Sequence, residues 1–254
     1  MALFAFRPRL RLSEYGWGRR ALLIAAALVG SAAVGYAANL ASRNALWQVV
    51  RICALDKAAT GSPLPCLEVS GAGNDGFVVL RPPIGEPDTI LAPTRRVTGI
   101  EDGFLQSPQA PNYFALAWDA RRWLSSKPPA PRVALAVNSR LARSQDQLHV
   151  HIGCLSAEFV GQLGDRALGP ATRTWFRGPD MAPGLQLWTY RSGTTDWRGL
   201  APFRLLRPLV GDAAGMRRTT LAAALIGGEL VLAALRSRPG GWYASADDVI
   251  DAKC

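Results

Sequence analysis

The chain has 254 residues, 49% of them hydrophobic, and a formal net charge of +10 at neutral pH. That apolar content excludes disorder as the default and suits one large domain or two small ones. The charge does not mark a nucleic-acid binder: no lysine-rich helix or aromatic-basic array occurs, and the first 20 residues alone hold five arginines against one acid.

Residues 1–20 read as a basic cytoplasmic segment because an uncharged apolar run comes directly after them. Ala21 to Ser42 is a stretch of 22 residues without a charge, and about 20 apolar residues in a helix cross a bilayer. Arg7, Arg9, Arg11, Arg19 and Arg20 precede the run, whereas only Arg43, Arg51 and Lys57 lie close behind it. The positive-inside bias then expects a single-pass transmembrane helix at 21–42, with residues 43–254 exported. A cleaved signal peptide ending near Gly35-Tyr36-Ala37 is the alternative, although the run is long for one. Cys53, Cys66, Cys154 and Cys254 all lie beyond the run, as disulfides in an oxidising compartment would. Sequence leaves their pairing open. Proximity around Gly61-Ser62-Pro63 favours Cys53 with Cys66, leaving Cys154 for Cys254.

In the folded part, Asn44 to Leu55 reads as a helix with Leu46, Val49, Val50 and Cys53 on one stripe, broken by Gly61-Ser62-Pro63. Gly76–Leu80 and Thr89–Ala92 are short strands around a turn bracketed by Pro82-Pro83 and Pro87. Tyr113 to Leu124 has helical spacing and stops before Lys127-Pro128-Pro129. Val133–Val137 and Gln147–Leu155 are the next strands. Strand, strand, helix, strand, strand is an α+β unit with an antiparallel sheet. The second half, 170–254, repeats that order: strands at Leu185–Arg191 and Pro202–Leu206, a helix at Arg207–Met216, then a hairpin of Thr219–Ile226 and Glu229–Leu235 turning on Gly227-Gly228. A duplication and a single extended sheet both fit. Trp175, Trp188, Trp197 and Trp242 are core or rim by residue type, and any of them near a site has a face for a base or an acyl chain.

The chemistry concentrates in Asn138 to Cys154, which holds both histidines of the chain. Polar and apolar residues alternate from Gln147 to Ile152, the period of a half-buried strand. Gln147, His149 and His151 then share one face, while Leu148, Val150 and Ile152 anchor the other in a core.

This stretch resembles the signature of the histidine triad superfamily, in which three histidines alternate with apolar residues. Within it, the chain is similar to the bacterial CDP-diacylglycerol pyrophosphatases. The resemblance lies in Asn138-Ser139-Arg140, in Arg143-Ser144-Gln145 before the histidines, and in Cys154 after them. It extends to Pro93-Thr94, Gly99 with Glu101, Pro111-Asn112-Tyr113-Phe114 and Ala117-Trp118. It covers roughly Cys53 to the C-terminus, and departs from the triad at its first histidine, which is Gln147 here. The resemblance implies a histidine-triad-like sheet with flanking helices behind the transmembrane helix, and hydrolysis of CDP-diacylglycerol to CMP and phosphatidate. It implies His149 as nucleophile, His151 as a donor to phosphate oxygen, and Asn138, Ser144, Gln145 and Gln147 as substrate-binding residues. No cofactor is implied; the partners are a lipid substrate and the inner membrane, with the catalytic domain in the periplasm.

The residues themselves support nucleophilic chemistry. A neutral imidazole attacks phosphorus at physiological pH, and a backbone carbonyl on its other nitrogen would leave the attacking nitrogen its lone pair. Arg140 and Arg143 are near enough in sequence to offset anionic charge, and equally suit a solvated turn. The alternatives are a metal-dependent hydrolase, with His149 and His151 joined by Asp146 or Glu101 as ligands, and a binding module without catalysis. No Walker-type loop, G-x-S-x-G elbow or Rossmann fingerprint supports another class.

Overall fold

The computed structural model describes Leu22 and residues 42–71, 73–82 and 89–251. The expected transmembrane helix, apart from Leu22 and Ser42, lies outside the described residues, as does Cys254. No helix among the described residues is long and apolar enough to cross a membrane.

Residues from Leu46 onward form one compact unit, built on an antiparallel sheet of ten strands. In chain order the elements are α1 (Ala45–Thr60), β1 (Glu68–Ser70), β2 (Phe77–Leu80), β3 (Thr89–Pro93), α2 (Tyr113–Ala120), β4 (Val133–Val137) and β5 (Val150–Leu155). Then come α3 (Ala157–Leu168), β6 (Trp175–Ala182), β7 (Leu185–Arg191), α4 (Pro202–Val210), α5 (Ala213–Arg217), β8 (Thr219–Ile226), β9 (Glu229–Ser237) and β10 (Ile250–Asp251). The strand order is β1-β2-β3-β5-β4-β8-β9-β7-β6, and β10 pairs with β5. Strands β1, β2 and β3 precede α2, and β4 and β5 follow it; β6 and β7 precede α4 and α5, and β8 and β9 follow them; the two sets meet at the β4–β8 pairing. The hairpin of β8 and β9 turns on Gly227 and Gly228, whose φ angles of +61° and +82° suit glycine in a two-residue turn.

The expected strand at Pro202–Leu206 and single helix at Arg207–Met216 are both corrected. Pro202–Leu206 is the start of a helix, not a strand. Pro202, Phe203, Leu206 and Val210 are its buried residues, a helical spacing, and proline is at home in a first turn. Gly211, at φ +86°, ends that helix before α5 begins. Helix α3 and strands β1, β6 and β10 were not expected from the sequence.

The two faces of the sheet carry different cores. Leu135, Val150, Ile152, Leu221 and Leu232 meet Phe114, Ala117 and Leu206 of α2 and α4 on one face. On the other face, Ile90 and Ala92 pack under Leu46, Val50 and Cys53 of α1, while Ala134, Ala136, Ala222 and Ala224 lie under Phe159 and Leu163 of α3. His151 pairs with Ile90 of β3 on one side and Ala136 of β4 on the other. Cross-strand partners share a face. His151 on β5, with His149 just before the strand, thus lies between two separate apolar clusters.

Candidate active site

The alternation from Leu148 to Ile152 holds, since Leu148, Val150 and Ile152 enter the larger core. The regular strand starts at Val150, three residues later than expected, so Gln147 and His149 belong to the segment leading into β5. That segment is still tied to its neighbour, with Leu148 N donating to Val97 O at 2.7 Å.

His149 Nδ1 lies 2.8 Å from the carbonyl oxygen of Gln147. A carbonyl only accepts, so Nδ1 carries the hydrogen and Nε2 of the neutral ring keeps its lone pair. Burial pushes the His149 pKa below its ordinary value; the bond to Gln147 opposes this, and the charge of Arg143 adds to it. His151 is held well below its ordinary value by burial, and then by His149. The two rings stand 4.7 Å apart at 62°.

Asn138 closes a relay at the end of β4. Its Oδ1 accepts from Ala246 N at 2.7 Å, which identifies the other terminal atom as the amide nitrogen. That nitrogen, 3.2 Å from His151 Nε2, is the donor, so His151 Nε2 accepts and its hydrogen resides on Nδ1. Ala246 belongs to a C-terminal strap crossing the sheet. The strap is held by Thr220 Oγ1, which donates to Ala244 O at 2.6 Å, and by the pairing of β10 with β5.

The remaining candidates divide. Gln147 is fully buried; its amide donates to Pro93 O and Arg95 O at 3.0 and 2.9 Å and accepts from Val97 N at 3.4 Å. It brackets the loop after β3. Gln145 Oε1 accepts from Leu46 N at 2.9 Å and so caps the start of α1. Ser144 is exposed in the loop between Asn138 and Gln147. In the same loop the amides of Ala142 and Arg143 bond to Ser139 O, and that of Arg140 to Arg217 O.

Arg143 is not a solvated turn residue. Its guanidinium is buried and grips both oxygens of Glu101 at 2.7 and 2.8 Å, with Asp146 Oδ1 at 3.1 Å. Burial alone would raise the Glu101 carboxyl; the hydrogen bonds and charge of Arg143, with the charge of Arg217, bring it below its usual value. Gly99 is glycine because a Cβ there would sit 2.4 Å from Arg143 Nη1. This Gly99–Glu101–Arg143–Asp146 clamp, and the strap at Ala246, were not identified as parts of the site from sequence. The spacing of Gly99 and Glu101 was the available signal for the first; the strap, held through a backbone amide, offers none. Both acids that a metal reading would recruit are bonded to Arg143, and no group of three or more His, Cys, Asp or Glu is placed to hold a metal among the described residues.

The motif at Pro111–Phe114 lies on the opposite face. Asn112 caps α2 and donates to Trp197 O and Leu200 O, while Tyr113 and Phe114 are core. Cys53 and Cys66 form a disulfide as expected, and Cys154 is disulfide-bonded as well.

A family model described as CDP-diacylglycerol pyrophosphatase matches residues 41–254. The chain belongs to that family. A relative from Yersinia pestis, named CDP-diacylglycerol pyrophosphatase, is 31% identical over 246 residues, covering 94% of both chains. Among solved structures, a DUF4931 family protein from Bacillus cereus is similar at a TM-score of 0.38 and 9% identity, over 68% of this chain and 86% of that one.

Proposed function

We propose that the chain is a membrane-anchored, exported hydrolase that cleaves CDP-diacylglycerol to CMP and phosphatidate through a covalent nucleotidyl-histidine. One observation carries the mechanism: the Gln147 carbonyl accepts a hydrogen bond from Nδ1–H of a neutral His149, leaving Nε2 as a nucleophile. Family membership supports the substrate.

Nε2 attacks the phosphorus on the cytidine side, forming an N–P bond as the bridging P–O bond breaks. Phosphatidate leaves with the bridging oxygen. As a phosphate monoester with a second pKa near about 6, it needs little protonation to leave, so a strong general acid is dispensable. Water then attacks the same phosphorus, the N–P bond breaks, and CMP and a proton are released. His151, Ser144 and Arg140 are the groups proposed to meet the phosphate oxygens. Asn138, Gln145 and Gln147 serve the same chemistry by holding the histidines and the loop. The disulfides and the charge pattern of residues 1–42 support export to an oxidising compartment.

Purified protein supplied with CDP-diacylglycerol should release CMP and phosphatidate in equal amounts, and still do so after exhaustive EDTA treatment. CMP release that EDTA abolishes would replace this reading with metal catalysis. Tight substrate binding without any release would leave a binding module.

A further inference from the structure

The exposed large apolar side chains of this chain are not scattered. Beyond Leu22, those among the described residues are Ile52, Leu55, Leu64, Leu141, Val160, Trp242 and Tyr243. Ile52 and Leu55 are on α1, and Leu64 comes soon after it, held close by the Cys53–Cys66 disulfide. Val160 is on α3, Trp242 and Tyr243 enter the strap, and Leu141 is in the loop that carries Ser144. Helices α1 and α3 and the strap all cover the sheet face that bears His149 and His151. Helices α2 and α4, on the other face, contribute none of the seven.

We infer that the histidine-bearing face is a docking surface for a lipid bilayer, with apolar footholds on both sides of the active site. Ile52, Leu55 and Leu64 make one foothold; Val160, Trp242 and Tyr243 make the other. The inference rests on the proposed lipid substrate and says how the site is presented to it.

Three physical features select a bilayer over a protein partner. Ile52 and Leu55 are three residues apart and so share the outer side of α1, away from Leu46, Val50 and Cys53. These outward residues, 50% and 64% exposed, make α1 apolar on both sides, which on a water-facing helix calls for a cover. Exposed Arg51 lies beside Leu55 on that outer side, and a long cationic side chain suits anionic headgroups. Trp242 and Tyr243, at 66% and 54% exposure, are the residue types that settle at the headgroup level. Chain length fits too: only Arg43 and Asn44 separate the uncharged run ending at Ser42 from α1. If that run crosses the bilayer, α1 begins within about 10 Å of its surface.

The test uses the full chain reconstituted in vesicles of phosphatidylethanolamine and phosphatidylglycerol. A photoactivatable diazirine residue replaces Leu55, Trp242 or, as a control on α4, exposed Arg204. Lipid adducts at positions 55 and 242, well above those at 204, are expected. Adducts no stronger at 55 and 242 than at 204, or crosslinks to protein instead, would overturn the docking surface. CMP release is measured on the same samples. Release without lipid adducts defeats the docking surface alone; adducts without release defeat the hydrolase reading alone. In addition, I52Q/L55Q should raise the mole fraction of CDP-diacylglycerol in the vesicle needed for half-maximal rate about tenfold, with the rate at saturating mole fraction unchanged.

Discussion

At the scale of residues, the site is a set of backbone contacts that choose tautomers. Gln147 O holds His149 with its lone pair on Nε2, and the Ala246–Asn138 pair holds His151 with Nε2 as acceptor. A buried ring pushed below its ordinary pKa stays neutral at physiological pH. The acid limb of the rate should therefore lie below the ordinary histidine value of 6.5. Asn138→Asp should move it upward. An aspartate still accepts from Ala246 N, but it cannot donate to His151. It instead draws a proton onto Nε2 and favours the imidazolium. A pH–rate profile for the variant that overlays the wild type would mean that Asn138 does not govern His151.

At the scale of elements, the Asn138–Gln147 loop is fastened to the Gly99–Glu101 loop by the buried Arg143 guanidinium. Removing one member of a buried ion pair leaves the other charged and unpaired, typically about 3–5 kcal/mol. Arg143→Met should lower unfolding free energy by that order in urea titrations, and E101L/R143M should recover part of it. Equal stability of Arg143→Met and wild type would show that the clamp is dispensable. Much of this layer was legible. The alternation through Leu148, Val150 and Ile152 marked the core side of the histidine segment, and Gly227-Gly228 marked the hairpin. Other elements hid for physical reasons. Strand β6 contains Gly178 and Pro179 and pairs irregularly with β7, so no alternation marks it. Helix α4 looked like a short apolar run until Val210 completed its spacing. Helix α3 did carry a signal, in the Ser156 cap and the Phe159–Leu163–Ala167 stripe. The polar Arg143 was hidden because nothing in a single sequence says that an arginine is buried.

At the scale of the molecule, one sheet separates a structural face from a working face, and the buried histidines link folding to pH. Both have pKa values below their unfolded value of 6.5, so the unfolded chain binds more protons just below that pH. Their contribution is complete above about 6.5 and is lost as pH falls through the folded values. Glu101 is also lowered, from 4.5, so its contribution persists to more acid pH before being lost in turn. Melting temperature should accordingly fall on acidification from about pH 6.5, and H149Q/H151Q should flatten that fall. An unchanged slope in the double variant would remove the histidines from the linkage. The central claim, that His149 attacks phosphorus, is tested most directly by locating the covalent intermediate. CDP-diacylglycerol labelled in the cytidine-side phosphate is mixed with enzyme, quenched in base and digested. The label should be acid-labile, base-stable and on the peptide bearing His149, absent in His149→Ala and weaker in His151→Ala. Label retained by His149→Ala, or found on Ser144, would contradict the mechanism.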